Sequence, residues 1–508
     1  MNKASPVKKT TEPRVDDGHL VVRHPATGAV TGRYPVSDAE GVATAVSEAR
    51  EAAAWWAELD FKARGAILRE ARAVMAGRVR ELMHLIRVET GKSVSDAFSE
   101  IATSFEHLKW APKNARRVLG PRRVSTPLTL WDHAAYLEYR PYGVVAVIGP
   151  WNYPLHTPLG SIGYALAAGN TVVFKPSEYT PGVGQWLADV INEVAGRRIV
   201  AVVHGLGDVG AMLCEADVDK IAFTGSVATA RKVAAAAAKR LVPVLIEGGG
   251  KDAVIVDVDS RLDSAADFII WAAMTNAGQS CTGFERVYVV DEVADELIEK
   301  LTRRAQRLTV GTDDDSDIGP MTMPRQLDVV AAHVRDAIDR GAVAVVGGPQ
   351  AIRPPYVYPT ILTDVPEDSP AVTEETFGPV LVVNRVPDVE EALRRANATR
   401  FGLGGAVFGR RRAFDVARRM RSGMTAINSG FAFAAVPALP FGGVGASGYG
   451  RAHGDDGLRE FAYAKSIARR RAPQLFPLMS TGRKPVHNRL IERYLGFGGH
   501  RLPSGFVN

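Results

Sequence analysis

Two hydrophobic rhythms alternate along the chain. From Asp38 to Leu59 the apolar positions recur at helical spacing, with Asp38 placed as an N-cap. Asp60 to Val88 repeats that pattern. Short β-branched runs then take over: Val144–Ile148, Thr171–Phe174, Ile199–Val203, Lys220–Phe223 and Val242–Ile246. They end in turn-forming pairs such as Gly149-Pro150, Lys175-Pro176 and Thr224-Gly225, and helical stretches (Val183–Val194, Ala228–Lys239) lie between them. Strand, turn and helix at this spacing predict a parallel doubly wound sheet, which binds ligands just beyond the carboxyl ends of its strands.

A second series starts after Lys251. It runs through Ala253–Val256, Val287–Val290, Val343–Val346 and Val380–Val383 to Thr425–Asn428, and predicts another parallel sheet with its own helices. Arg122–Tyr142 is extended and bounded by prolines, as in a protruding hairpin, and Glu460–Ile467 is strand-like. The fold class is therefore α/β, with no internal repeat and no low-complexity segment.

Composition narrows the function classes. A chain of 508 residues is too long for one core. Hydrophobic content of 46% and charge of 23% are those of a globular protein. A net charge of +6 over this length suits an anionic cofactor but does not argue for nucleic acid. Two cysteines, Cys214 and Cys281, exclude a disulfide scaffold and fit a reducing, cytoplasmic setting. The 33 uncharged residues from Tyr142 to Phe174 are broken by Pro150, Pro154 and Pro158, so no membrane span is expected there.

Residues 1–17 are polar and read as a disordered arm. After Lys465 the tail is basic, with Arg469-Arg470-Arg471, Arg483, Lys484, Arg489 and Arg493. Interleaved with these are Leu475, Phe476, Leu478, Met479, Leu490, Ile491, Tyr494 and Leu495. Packing on a neighbouring subunit is its plain reading, and a peripheral contact with anionic lipid the sharper one.

Cys281, in Gly278-Gln279-Ser280-Cys281-Thr282-Gly283, has small polar neighbours and follows a helix-like segment, Ala265–Asn276. That context suits a nucleophile, although a single cysteine is as often a small packing residue. Cys214, in Ala211-Met212-Leu213-Cys214, reads as packing on a helix face. Glu247 ends an apolar strand and precedes three glycines; such a carboxylate is either a base near neutrality or a solvated strand end. Asn152, on a loop fixed by Pro150 and Pro154, either donates to an oxyanion or caps its own turn. Lys175 and Glu178 on one tight loop either grip ribose hydroxyls or form a surface pair.

Gly205-Leu206-Gly207-Asp208-Val209-Gly210 matches a dinucleotide fingerprint, but no acidic residue ends the next strand. The Thr224-Gly225-Ser226 turn, opening a helix at Val227, is an equally good pyrophosphate site. No metal-ligand spacing is evident among the 11 scattered histidines.

Six ordered segments together resemble the aldehyde dehydrogenase superfamily from about His24 to Lys465: Pro150–Leu155, Phe174–Glu178, Phe223–Ser226, Gly278–Cys281, Glu374–Pro379 and Pro440–Gly448. The resemblance implies a Rossmann-type cofactor domain, a catalytic domain and a small oligomerisation hairpin. The boundaries it suggests are 18–121 with 142–248, 249–459, and 122–141 with 460–471, followed by a basic extension at 472–508. It implies that Cys281 is the nucleophile, that Asn152 and the Cys281 N–H form the oxyanion hole, and that Glu247 is the base. It also implies that Trp151, Lys175, Ser177, Glu178, Gly205, Gly225, Ser226, Gly248, Glu375 and Phe377 hold NAD or NADP. NAD is favoured, because Glu178 opposes a 2′-phosphate.

The chain departs from the family at Gly248, usually Leu, and at Ala230, often Gly. Phe431–Pro440 resembles class 3-type enzymes, which take fatty or aromatic aldehydes. The opening helices and Pro141–Pro154 equally suit a succinate-semialdehyde dehydrogenase. The reaction implied is oxidation of a small-molecule aldehyde to its acid by a homodimer or homotetramer. A CoA-acylating enzyme is the alternative that Glu247 argues against, because release to a thiol needs no water-activating base.

Overall fold

The computed structural model describes residues 11–473 and 480–496. They fall into two compact units: one of residues up to Val118 with Pro141–Ala462, the other of Leu119–Arg140 with residues from Tyr463 on.

Two sheets organise the first unit. The six-stranded sheet runs Gly448–Tyr449, Val244–Glu247, Lys220–Thr224, Val144–Ile148, Thr171–Lys175, Val200–Val202. All pairs are parallel except the two-residue edge, which runs antiparallel to Val244–Glu247. Chain order proceeds outward in opposite directions from Val144–Ile148. The switch point therefore lies beside that strand, and the Gly149–Asn152 loop leaves from its carboxyl end. Its strands are nearly continuous in Val, Ile, Ala and Phe because helices cover both faces. On one face Val42, Ala45, Val46 and Ala49 pack on Val144, Ala146, Val173 and Ala201. Ala230, one of the departures from the family pattern, is buried in this core, so its methyl is a packing group.

The seven-stranded sheet runs Val343–Val346, Thr360–Thr363, Val380–Val386, Phe284–Val290, Asp252–Val256, Gly405–Phe408, Ala426–Ile427. Its Val343–Val346 edge is antiparallel, where a parallel strand was expected. The reason is connectivity: the short Ile352–Arg353 and Tyr356–Val357 hairpin turns the chain back within a few residues, too few for a crossover helix. Thr360–Thr363 and Gly405–Phe408 are additional to the runs read from the sequence.

Other local expectations are refined. Asp38 caps Ala39–Glu58 through the Gly41 N–H, as its side chain predicted. Asp60–Val88 is two helices, Phe61–Gly77 and Val79–Thr90, broken at Arg78. The disordered arm is corrected at its distal end. Arg14–Asp16 pairs antiparallel with His19–Arg23, so backbone hydrogen bonds order a stretch with little apolar content. Tyr179 also donates to the Glu12 carboxylate. Residues 1–10 lie outside the described residues. The 249–459 segment is not confined to one sheet, because its Gly448–Tyr449 completes the edge of the other.

The second unit contains a three-stranded sheet ordered Ala462–Arg470, His133–Pro141, Arg122–Val124. The strand read at Glu460–Ile467 starts two residues later, since Glu460 closes the Gly454–Glu460 helix. In the basic extension Pro485–Gly496 is helical, whereas Leu475, Phe476, Leu478 and Met479 lie outside the described residues. No described helix is long and apolar enough to cross a membrane.

Candidate active site

Cys281 is half-buried on a loop whose backbone is held in an unusual conformation. The Leu262–Met274 helix ends, and Asn276, Ala277 and Gly278 follow with φ of 53°, 55° and 68°. Consecutive left-handed residues persist only where surroundings over-determine them, and here they do. The Asp96 carboxylate accepts from Asn276 N–H at 2.9 Å and from the Thr275 hydroxyl. The Asn276 side chain donates to the carbonyls of Asn152 (2.9 Å) and Gln279 (3.1 Å). The Gln279 amide bridges Asn276 O and Thr322 N–H. At Gly278 a Cβ would lie 2.2 Å from the Gly378 backbone, so only glycine fits. Burial pushes the Cys281 thiol up strongly, and the nearby carboxylates of Glu247, Glu375 and Asp252 push it further. The resting sulfur is therefore a neutral thiol.

Glu247 ends its strand as read. The loop beyond it is held on both sides: Gly225 N–H donates to Glu247 O at 3.0 Å, and Gly248 N–H donates to Ser447 O at 2.9 Å. Thr224 donates to Glu247 Oε2 at 3.0 Å, while the buried Oε1 has no partner among the described residues. Burial raises this carboxyl to about 7, against the smaller opposing pulls of Thr224 and Arg451. Glu247 and Cys281 line the same cavity of about 460 Å³. Phe98, Phe268, Trp271, Phe431, Phe441 and Tyr153 supply much of the rest of its wall, and no Lys or Arg among the described residues does.

Asn152 is buried, and its Nδ2 donates to the Gln279 carbonyl at 3.0 Å, two residues before the sulfur. It is not among the residues that line the cavity. Its backbone carbonyl accepts from Lys92 Nζ at 2.7 Å. Lys92 in turn pairs with Glu100 at 2.5 Å, both side chains fully buried. Glu100 also takes the N–H groups of Leu155 (2.8 Å) and His156 (3.2 Å). This buried pair fixes the Asn152 loop.

On the sheet's other ligand-facing edge, Lys175 is buried and lowered by burial. Its ammonium donates only to the Pro176 carbonyl (3.2 Å), with no ion pair among the described residues. Ser177 donates to Glu178 at 3.3 Å on the same loop. Ser226 caps the Val227–Ala238 helix, directly after Gly225, leaving an N-terminus that favours phosphate. Gly205 precedes the Gly207–Glu215 helix, which also holds the buried Cys214. A buried, unpaired cation and a capped helix start fit an anionic dinucleotide.

Glu375 accepts from Gly250 N–H at 2.9 Å, and a Cβ at Gly249 would lie 2.4 Å from its carboxylate. Phe377 sits at φ 52° and donates its N–H to Glu285 at 3.0 Å. Its ring meets Trp151 edge-on at 5.5 Å. Sequence reasoning missed the two buried pairs beneath these loops, Lys92–Glu100 and Lys251–Glu285, and the aromatic lining. Hydrophobic spacing showed Phe268 and Trp271 only as helix positions.

A strand-end carboxylate near neutrality and a cysteine on a strained loop share one cavity, beside a dinucleotide-type sheet. The class they define is a cofactor-dependent oxidoreductase. The chain belongs to the aldehyde dehydrogenase family, which it matches over residues 14–467. It is an NAD(P)-dependent enzyme that oxidises an aldehyde.

It is 37% identical over 468 residues to the 4,4'-diapolycopene aldehyde oxidase of Methylomonas sp, covering 90% of this chain and 88% of that one. It is 36% identical to a Mycobacterium ulcerans (strain Agy99) protein provisionally named as an NADP(+) succinate-semialdehyde dehydrogenase, covering 89% of each. Among solved structures, lactaldehyde dehydrogenase from Escherichia coli superposes with a TM-score of 0.86 at 31% identity, over 90% of this chain and 97% of that one. The NAD complex of PnpE gives 0.85 at 32%, over 91% and 96%.

Proposed function

We propose that this enzyme oxidises an apolar, uncharged aldehyde, with Cys281 as nucleophile and Glu247 as the base that delivers water. The observation that carries the reading is the shared cavity: the Cys281 thiol and the Glu247 carboxylate line it together with aromatic rings, and no Lys or Arg among the described residues does. A carboxylate-bearing aldehyde would give up its hydration there with nothing to replace it. The acidic residues of the wall are already engaged, Asp96 by the Cys281 loop and Glu100 by Lys92.

The Cys281 thiol loses its proton to solvent in the cavity, the resulting thiolate attacks the carbonyl carbon, and the oxygen's growing charge meets the second hydrogen of the Asn152 amide and the Cys281 N–H. When bound, the dinucleotide supplies the hydride acceptor. Lys175, Ser177, Glu178, Gly205, Gly225 and Ser226 would hold its adenosine and phosphate portion; Trp151, Gly248, Glu375 and Phe377 would hold its nicotinamide end. The resulting thioester is cleaved by water whose proton passes to Glu247 Oε1. The free lone pairs of that atom and a carboxyl poised near 7 suit the task.

NAD is the preferred form, supported by the Glu178 carboxylate on the Lys175 loop. The enzyme is a cytoplasmic homo-oligomer. Its Ala462–Arg470 strand stands at a sheet edge with every side chain from Tyr463 to Arg470 exposed, ready to pair with a second copy. Gel filtration with light scattering reads that state.

The substrate claim is tested by ranking kcat/KM over benzaldehyde-type, long-chain, short-chain and carboxylated aldehydes. Aromatic or long apolar aldehydes should lead succinic semialdehyde by at least about 100-fold, since a desolvated, unpaired carboxylate costs several kcal/mol. Equal or better turnover of succinic semialdehyde would remove the apolar assignment while leaving the chemistry intact.

A further inference from the structure

Three histidines far apart in sequence converge beside the aldehyde cavity. His107 comes from the middle of the Val94–Leu119 helix, His156 opens the His156–Ala168 helix, and His453 immediately precedes the Gly454–Glu460 helix. One ring nitrogen from each lies within 4.8 Å of those of the other two. The ring centroids are 3.8 Å (His107–His453), 5.2 Å (His107–His156) and 5.8 Å (His156–His453) apart. His156 and His453 line the cavity that holds Cys281 and Glu247.

The hydrogen bonding is that of ligands without an ion. His107 Nε2 lies 2.9 Å from the Ala434 carbonyl, which can only accept, so Nε2 carries the proton and Nδ1 keeps its lone pair. A backbone carbonyl taking the far N–H is the usual way that a metal-binding imidazole is oriented. The Nδ1 atoms of all three rings are buried and have no partner among the described residues. Leaving such an atom unmet is costly, and three together make an unfavourable cluster if it serves packing alone.

The backbone accepts strain to build the group. His453 has φ 60° and ψ 169°, a region that a side-chain-bearing residue seldom occupies. A Cβ at position 160 would lie 2.5 Å from His453 Nε2, so the ring fits only because that residue is Gly160.

We propose that His107, His156 and His453 form a three-histidine site for a borderline divalent cation of the zinc and cobalt type, at the wall of the substrate cavity. Zinc–imidazole bonds of about 2.0–2.1 Å require the three nitrogens to close by on the order of 1 Å, which small ring rotations supply. Three neutral imidazoles suit such ions and leave a fourth position for water or for an oxygen atom of a cavity ligand. The site is not needed for hydride transfer or thioester hydrolysis; a cation bound there would place a positive charge on the cavity wall, so the apolar preference proposed above is that of the metal-free enzyme.

The test uses the full chain carrying Cys281→Ala, so that the thiol offers no competing ligand. Chelator-treated protein is titrated with zinc by calorimetry, and with cobalt while visible absorption is followed. The expected result is one saturable zinc per chain, and cobalt bands of a tetrahedral site. His156→Gln and His453→Asn, each added to the same background, should weaken zinc at least about tenfold and abolish the cobalt bands. Near-ultraviolet circular dichroism confirms that each variant is folded, and His107→Phe stands in for one that is not. Absence of saturable zinc binding in the parent, or binding that survives in the folded histidine variants, overturns the site.

Discussion

Replacing Glu247 by Gln separates the two halves of the reaction. The substitution keeps the side chain's size and its contact with Thr224, and removes only the ability to take a proton at Oε1. Burial holds the native carboxyl at about 7. The base form is the deprotonated one, so below that pH its fraction falls about tenfold per pH unit, and above it the fraction saturates. Where thioester hydrolysis limits turnover, wild-type kcat should therefore climb through about pH 7 and level off. In the variant that limb disappears, and steady turnover falls by about 10²–10⁴-fold, the usual worth of a positioned general base. Acylation and hydride transfer precede the step that needs Glu247. Stopped-flow NADH absorbance should consequently still show a burst of about one equivalent per active site. A variant that binds NAD normally yet shows no burst would refute the assignment, as would one that turns over at the wild-type rate with the same pH limb.

Three other perturbations probe the surroundings. In cofactor-free enzyme, burial and the charges of Glu247, Glu375 and Asp252 keep the Cys281 thiol protonated; iodoacetamide should modify it more slowly than a free cysteine, and Glu247→Gln should speed the modification. No acceleration in the variant contradicts that electrostatic reading. Lys92→Met strands Glu100 as a buried charge and should cost about 3–5 kcal/mol in urea unfolding, whereas adding Glu100→Leu restores part of the stability but not kcat, because Asn152 O keeps only its Asn276 donor. Glu178→Gln should raise the NADP-to-NAD ratio of kcat/KM by about tenfold, the size of one removed like-charge contact of about 1.4 kcal/mol, and an unchanged ratio would place the 2′-phosphate elsewhere.

The strands of the first sheet were legible because their covered faces force continuous Val, Ile and Ala runs, and turn residues mark each end. Gly448–Tyr449 was not, because two residues at an edge carry no period. The polar stretch at Arg14–Asp16 looked structureless because its order comes from backbone pairing and not from apolar burial. At the site, the chemistry of Cys281 and Glu247 could be read as residue types in context. Their environment could not. The left-handed turn before Cys281 depends on Asp96 and Asn152, more than 120 residues away in sequence, and the cavity is walled by Phe98 from one helix and by Phe268 and Trp271 from another. The same distance hid the histidine cluster, whose members share no local spacing.

The most direct test of the central claim is the intact mass of the Glu247→Gln enzyme after mixing with NAD and an apolar aldehyde. With hydrolysis blocked, the protein should gain the mass of one acyl group, and peptide mapping should place it on Cys281. An unmodified protein after a full NADH burst, or an acyl group on any other residue, would contradict the account.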